Sequence, residues 1–137
     1  MSAGFLNRYQ TEAHGLMRIV VGFLFMIHGG QKLFGWFGAD GPRPLMSEFG
    51  LAGVLEFFGG LMIMFGWLTA PVAFILAGEM AVAYFWKHVP GRGFWPWQNR
   101  GELVTLYSFV FLFLATVGSG GFSVEGWLAK RKSDAVR

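Results

Sequence analysis

Four long apolar runs make up most of this chain, at about 15–34, 51–67, 69–86 and 102–117, and they decide its solvent before they decide its fold. Crossing a hydrocarbon core of about 30 Å takes about 20 residues, and all four runs approach that length. A soluble domain carries roughly a quarter charged residues. Here charged residues are 14% and hydrophobic ones 54%, with 16 Phe, which leaves too little polar surface for a water-soluble fold. The tryptophans agree. Trp36, Trp67, Trp86, Trp95, Trp97 and Trp127 stand at run ends or between runs, where indole rings settle at a lipid–water interface.

The connections divide the runs into helices. Residues 35–44 (GWFGADGPRP) are punctuated as a loop by Gly38, Gly41, Pro42 and Pro44. The stretch 66–71 (GWLTAP) is so short that the second and third helices form an antiparallel hairpin. Pro71 then falls in the first turn of the third helix, where a missing N–H costs nothing. Residues 88–101 (HVPGRGFWPWQNRG) form a longer polar and aromatic loop on the opposite side. After Val117, Ser123 caps a short amphipathic segment whose Phe122, Trp127 and Leu128 rest on the bilayer surface.

The expected fold is therefore all-α. Residues 1–137 form a single integral membrane domain, an antiparallel four-helix bundle with short loops, an interfacial C-terminal segment and a basic tail at 122–137. Residues 19–27 (IVVGFLFMI) have the length of a signal-peptide core, but they run into HGGQK without a small-x-small cleavage site. They are read as a retained first helix.

Net charge of +3 raises nucleic acid as a partner, yet four of the eleven basic residues fall in the last eight positions, and no basic face interleaved with aromatics occurs elsewhere. A membrane-flanking tail explains the charge better, and no nucleic acid is expected. Four spans put both termini on one side. Arg8, Lys130, Arg131, Lys132 and Arg137 flank that side, and Lys32, Arg43, Lys87, Arg92 and Arg100 the other, a tie of five each. Arg18 near the inner end of the first helix and the compact 130–132 cluster tip the choice to cytoplasmic termini in a bacterial inner (plasma) membrane.

Polar residues inside the runs are the candidate site. Glu56 and Glu79 lie roughly 8–12 Å deep from the outer surface, and His28 about 9 Å deep on the first helix. Their short side chains cannot reach water from there, so the acids pair with a cation, carry a proton or line a wet cavity. A purely structural ion pair is the competing reading. Lys32 stands one turn above His28 on the same face. Lys87 and His88 close the third helix at that level, where the lysines also have the option of snorkelling to headgroups. Glu102 opens the fourth helix, where a carboxylate suits the helix dipole with or without a catalytic role. Gln31 and Asn99 complete the polar set. Gly53 and Gly60 flank Glu56 as a small-residue packing stripe, while Gly29 and Gly30 loosen the first helix or merely weaken it.

No dinucleotide fingerprint, P-loop, nucleophile elbow or H-E-x-x-H metal motif is present, and no metal site is expected. The absence of Cys excludes disulfides, iron–sulfur clusters and thiol chemistry carried by this chain itself. A bis-histidine haem between His28 and His88 is sterically conceivable, but His28 beside Lys32 and Glu56 reads as a polar network.

Taken in order, these residues resemble the DoxX family of small four-helix bacterial membrane proteins, over about residues 15–125. The resemblance rests on R-x-x-x-G-x-x-F-x-x-H-G-x-x-K from Arg18 to Lys32, and on E-x-x-G-G-x-x-x-x-x-G from Glu56 to Gly66. It continues in E-M-x-x-A from Glu79 with His88 beyond, in N-x-G-E at Asn99–Glu102, and in G-S-G-x-x-S from Gly118 to Ser123. Glu125, where the family more often has Asp, and Arg100, where Gly is usual, depart from the pattern. The resemblance implies grouping with quinone-linked redox systems, without implying any one of their activities.

Three functions compete. In the first, the protein is a redox-associated membrane subunit, at most an accessory to a quinone-linked oxidoreductase. His28, Lys32 and a protonated Glu56 or Glu79 then serve a quinone or similar lipid-soluble ligand, with Phe and Met side chains as walls. No intrinsic cofactor is expected, so electrons require a partner protein carrying haem, flavin or thiols. The second is a structural or assembly partner whose polar network only sets helix register. The third is a small-solute or proton pathway with the two acids as relays. A homo-oligomer is left open.

Overall fold

The computed structural model describes residues 4–136, so Arg137 of the charge tally lies outside the described residues. The chain is all-helical, with no strand among the described residues. A 3₁₀ turn (Phe5–Tyr9) leads into α1 (Gln10–Phe34), followed by a 3₁₀ turn (Trp36–Gly38), α2 (Glu48–Phe65) and α3 (Thr69–Ala83). A π-helical turn (Tyr84–His88) extends α3, the single-turn α4 (Pro96–Asn99) follows, and α5 (Glu102–Val117) and α6 (Val124–Ala135) complete the chain.

Three helical stretches are long and apolar enough to cross a membrane: Phe5–Phe34, Glu48–Phe65 and Thr69–His88. The fourth apolar helix, α5, has 16 residues, or about 24 Å, short of a hydrocarbon core of about 30 Å. Its ends coincide with the fourth run, but its length leaves it outside the set of candidate spans. The other ends shift for local reasons. Helix α1 begins at Gln10, ahead of the apolar run, because it continues directly from the 3₁₀ turn at Phe5–Tyr9. Helix α2 begins at Glu48 because the Ser47 hydroxyl accepts from the Gly50 N–H, and Ser123 caps α6 in the same way through Gly126.

The helices associate mainly as two pairs, α1 with α2 and α3 with α5, with thinner contact between α2 and α3. Small residues bring the first pair together. A Cβ on Gly22 would stand 2.4 Å from Met64 N, one on Gly60 2.5 Å from Met26 N, and one on Gly29 2.2 Å from Phe57 N. Backbone meets backbone at all three. Gly29 and Gly30 therefore do not loosen α1, which is unbroken through them: the first seats α2, and the second lies against the Trp36 indole. Phe25, Ile63, Leu76, Met80, Phe111 and Leu114 form a core shared by α1, α2, α3 and α5. The outside is apolar as well, since Leu16, Phe23, Phe58, Phe74, Phe109 and Phe113 are all exposed. An exterior of that kind suits lipid.

Arg18 is the unexpected element. It is 0% exposed, so it does not flank the membrane as a topology signal. Its Nη1 donates to Ile63 O (2.6 Å) and Met64 O (2.5 Å), at the end of α2. Nε donates to Ser119 O (2.6 Å), and Nη2 to Gly121 O (3.0 Å) and Phe122 O (2.9 Å). A cation at the C-terminus of α2 also meets the negative end of its dipole. The connection from α2 to α3 is fixed from the same quarter. Gly66 adopts φ 68° and closes α2, with Trp67 N bonded to Met62 O at 2.9 Å. Glu125 N donates to Gly66 O (3.1 Å), and Glu125 Oε1 accepts from Thr69 N (2.9 Å), so a distant carboxylate caps α3.

Replacing Gly29 with Ala should cost about 1–3 kcal/mol by forcing α1 and α2 apart. Gly78→Ala, where nothing lies within 4 Å of the added carbon, should leave stability unchanged or slightly raised. Thermal unfolding of both variants in detergent checks this; equal loss would mean that the crossing is not set by Gly29.

Candidate functional site

The thin seam between the two helix pairs contains the acids. Lys32, in the last turn of α1, donates from Nζ to Glu56 Oε1 at 2.5 Å. Glu56 is 3% exposed. Gly53, one turn earlier on α2, is what lets the lysine come so near, since a Cβ there would stand 2.9 Å from Lys32 Cβ. Breaking such a pair from one side leaves a charge uncompensated and costs far more than removing both partners.

Two clefts share this ion pair. The larger, about 310 Å³, runs between α2 and α3 with Lys32, Glu56 and Glu79 and the Glu48–Lys87 pair as polar lining, and Phe49, Leu55 and Trp86 among its walls. Leu51, Leu55, Val82 and Trp86 are exposed wall residues, so the cleft opens on the apolar exterior. The smaller, about 190 Å³, is lined by Lys32 and Glu56 together with His28, His88, Tyr107 and Lys87. Lys87 also pairs with Glu48, tying the π-helical turn to the start of α2. That turn is where α3 slips register, with Val89 N bonded to Tyr84 O at 3.1 Å, and such slips frequently mark functional positions.

Hydrogen bonding in the larger cleft is incomplete. Glu56 Oε2 and both carboxylate oxygens of Glu79 are buried without a partner; Thr69 Oγ1 and His14 Nε2 are the other such atoms among the described residues. Three unpartnered oxygens beside the Lys32 ammonium form a polar end with unused acceptor capacity, and protonation of either carboxyl would add a donor.

The expected polar set is thus divided. Lys32 and Glu56 line both clefts, Glu79 the larger only, and His28 and His88 the smaller only. Gln31, half-buried on α1, and Glu102, exposed at the start of α5, line neither. Asn99 is buried and occupied by its own loop: its Nδ2 donates to Gly93 O at 3.0 Å and its Oδ1 accepts from Gly101 N at 2.8 Å. His88 Nδ1 lies 3.1 Å from Asn99 O, and the His28 ring meets Tyr107 edge-on at 6.1 Å. Both histidines line the smaller cleft, together with polar, aromatic and aliphatic side chains. Glu48, in the larger cleft, and Tyr107, in the smaller, are not among the residues singled out from the sequence.

The sequence profile of DoxX matches residues 14–89, which include His28, Lys32, Glu56, Glu79 and His88. The chain belongs to the DoxX family. It is 37% identical to an uncharacterized protein of Haemophilus influenzae, over 92% of this chain and 98% of the relative. It is 31% identical to the inner membrane protein YqjF of Escherichia coli, over 83% and 90%. A more distant relative, at 24% identity over 87% and 89%, is the Bacillus subtilis protein named "Putative oxidoreductase CatD". No solved structure matches the chain significantly. Family membership and the apolar exterior make this DoxX protein a membrane protein.

A double-mutant cycle tests the ion pair at the centre of the site. Lys32→Met should destabilise the protein in detergent more than Met at the exposed Arg92, and less when Glu56 is also made Gln. The coupling should be about 0.5–3 kcal/mol. Additive thermal shifts would mean that Lys32 and Glu56 do not depend on one another.

Proposed function

We propose that this DoxX-family membrane protein is a redox-associated subunit that binds a quinone or a similar lipid-soluble ligand in the cleft between α2 and α3. The observation that carries the reading is the polar end of that cleft. Lys32, Glu56 and Glu79 converge there with three unpartnered carboxylate oxygens, inside apolar walls that open on the hydrophobic exterior. A lipid-soluble ligand with a polar head suits such a site, since its body replaces lipid while its head meets the unpaired groups. A quinone supplies two-electron, two-proton redox chemistry when bound. The chain's own part is to bind and to manage protons. Lys32 donates to a carbonyl oxygen, Glu79 and Glu56 accept from a hydroxyl or hold its proton, and Phe49, Leu55 and Trp86 enclose the ring. His28 and His88, in the smaller cleft, reach the same ion pair and extend the proton route away from the ligand. Electrons require a partner protein carrying haem, flavin or thiols. The name of the Bacillus relative accords with a redox setting.

A proton pathway without a ligand is the second reading, favoured by the sharing of Lys32 and Glu56 between two clefts. Titration of the purified protein with a short-chain quinone separates the two. Binding should weaken about tenfold or more in Glu79→Gln and Lys32→Met, the weight of one charge-assisted hydrogen bond. If no quinone binds while proteoliposomes conduct protons, the second reading replaces the first.

The topology proposed with this site is four spans in a bacterial inner membrane with both termini cytoplasmic. Helix α5 acts as the short fourth span; it presents Leu106, Phe109 and Phe113 outward, and the membrane thins or the helix ends snorkel to match it. With Arg18 buried, the exposed Lys130–Lys132 cluster carries the orientation. Cysteines introduced at Asp40 and Ser133 should react with impermeant reagents from opposite faces. Labelling of both from one face would leave three spans or five.

A further inference from the structure

A second groove lies away from the acids, at the end of the molecule gathered around Arg18. It measures about 600 Å³, and its walls are Ile19 of α1, Met64 and Phe65 at the end of α2, and Phe122, Val124 and Trp127 at the start of α6. Main-chain groups of this floor are held by the Arg18 guanidinium through Met64 O and Phe122 O, so the groove is part of the fixed framework.

Its occupant is indicated by what stands at its rim. On α6 the positions 124, 127, 128 and 131 share one face, by the i, i+3, i+4 and i+7 spacing of a helix. The face therefore passes from the groove wall at Val124 and Trp127 to a cation. The Arg131 guanidinium lies 4.4 Å from the centre of the Trp127 ring, which pre-positions its charge one turn beyond the apolar lining. Lys130 and Lys132 flank it, and all three side chains are exposed. Among the described residues, no ion pair joins any of the three to a carboxylate. Glu125, the acid nearest along the helix to the groove, is bound to Thr69 N instead.

An apolar trough that ends at unpaired cations fits an amphiphile with a negative head. A neutral lipid would leave the cations unanswered, and a soluble anion would leave the trough unfilled. We propose that this groove binds an anionic phospholipid, with an acyl chain along Ile19, Met64 and Phe65 and the headgroup phosphate at Arg131. Basic side chains beside a membrane surface attract anionic lipids diffusely in any case; the groove adds a fixed place for the chain.

Trp127 reports on the site. The protein is reconstituted in phosphatidylcholine vesicles containing brominated-chain phosphatidylglycerol or, separately, brominated-chain phosphatidylcholine. The quenching lost in Trp127→Phe isolates this one indole. Brominated phosphatidylglycerol should half-quench it at a mole fraction about five-fold lower, the weight of one basic side chain near an anionic surface. The preference should disappear in Lys130→Gln/Arg131→Gln/Lys132→Gln and fall partly in Arg131→Gln alone, with unchanged thermal aggregation temperature. It should remain measurable in 1 M salt, where the screening length is about 3 Å. Equal quenching by the two lipids, a preference that survives the triple change, or its complete loss in salt each overturns the proposal.

Discussion

A single guanidinium joins three parts of this chain that are far apart in sequence. Arg18 reaches from α1 to the last carbonyls of α2 and to the segment before α6, and all its partners are main-chain oxygens. Five donors matched to five carbonyls are what make a fully buried cation tolerable. The same contacts supply acceptor partners that a helix end inside an apolar environment would otherwise lack. Glu125 completes the arrangement by capping α3 from the far end of the chain. The Arg18 end of the molecule is thus fixed by polar groups bonded to the main chain.

The other end follows from how the helices pair. Glycines close the α1–α2 crossing to backbone contact, and Ser108 Oγ donates to Ala77 O at 2.9 Å between α5 and α3. Each pair is tight, so the looser packing falls on the seam between pairs. The Lys32–Glu56 bond joins the two members of one pair at the edge of that seam and lines both clefts, one walled largely by exposed apolar residues and one by aromatic and basic groups. Gly53 makes room for the ion pair within the first helix pair, and the seam gives the remaining carboxylate oxygens open space.

How much of this was legible in the sequence depends on the kind of partner each residue takes. Apolar runs, serine caps and glycine spacing announce helices directly, and Ser47, Ser123 and the Gly53/Gly60 stripe do in the structure what their types imply. Lys32 and Glu56 also betray one another, since a buried acid calls for a cation at matching depth. Arg18 does not. A side chain whose partners are carbonyls has no complementary residue to find, and a lone arginine near a helix end reads as a topology signal. Asn99 fails in the opposite direction. A loop consumes its amide, and nothing in its type separates that use from ligand binding. Helix α5 was clear in extent but not in reach, because hydropathy gives a segment's ends while the bilayer sets how long it must be.

The sequence separation of the Arg18 bonds has a consequence for biogenesis. A chain emerging at roughly 5–20 residues per second presents the arginine long before residues 119–122, which supply three of its five acceptors. The first helix therefore enters the bilayer with its cation only partly answered, and must keep it near the headgroups or borrow water meanwhile. Arrival of the loop after α5 allows the charge to be buried, so the first helix reaches its finished depth only after α5 has been made.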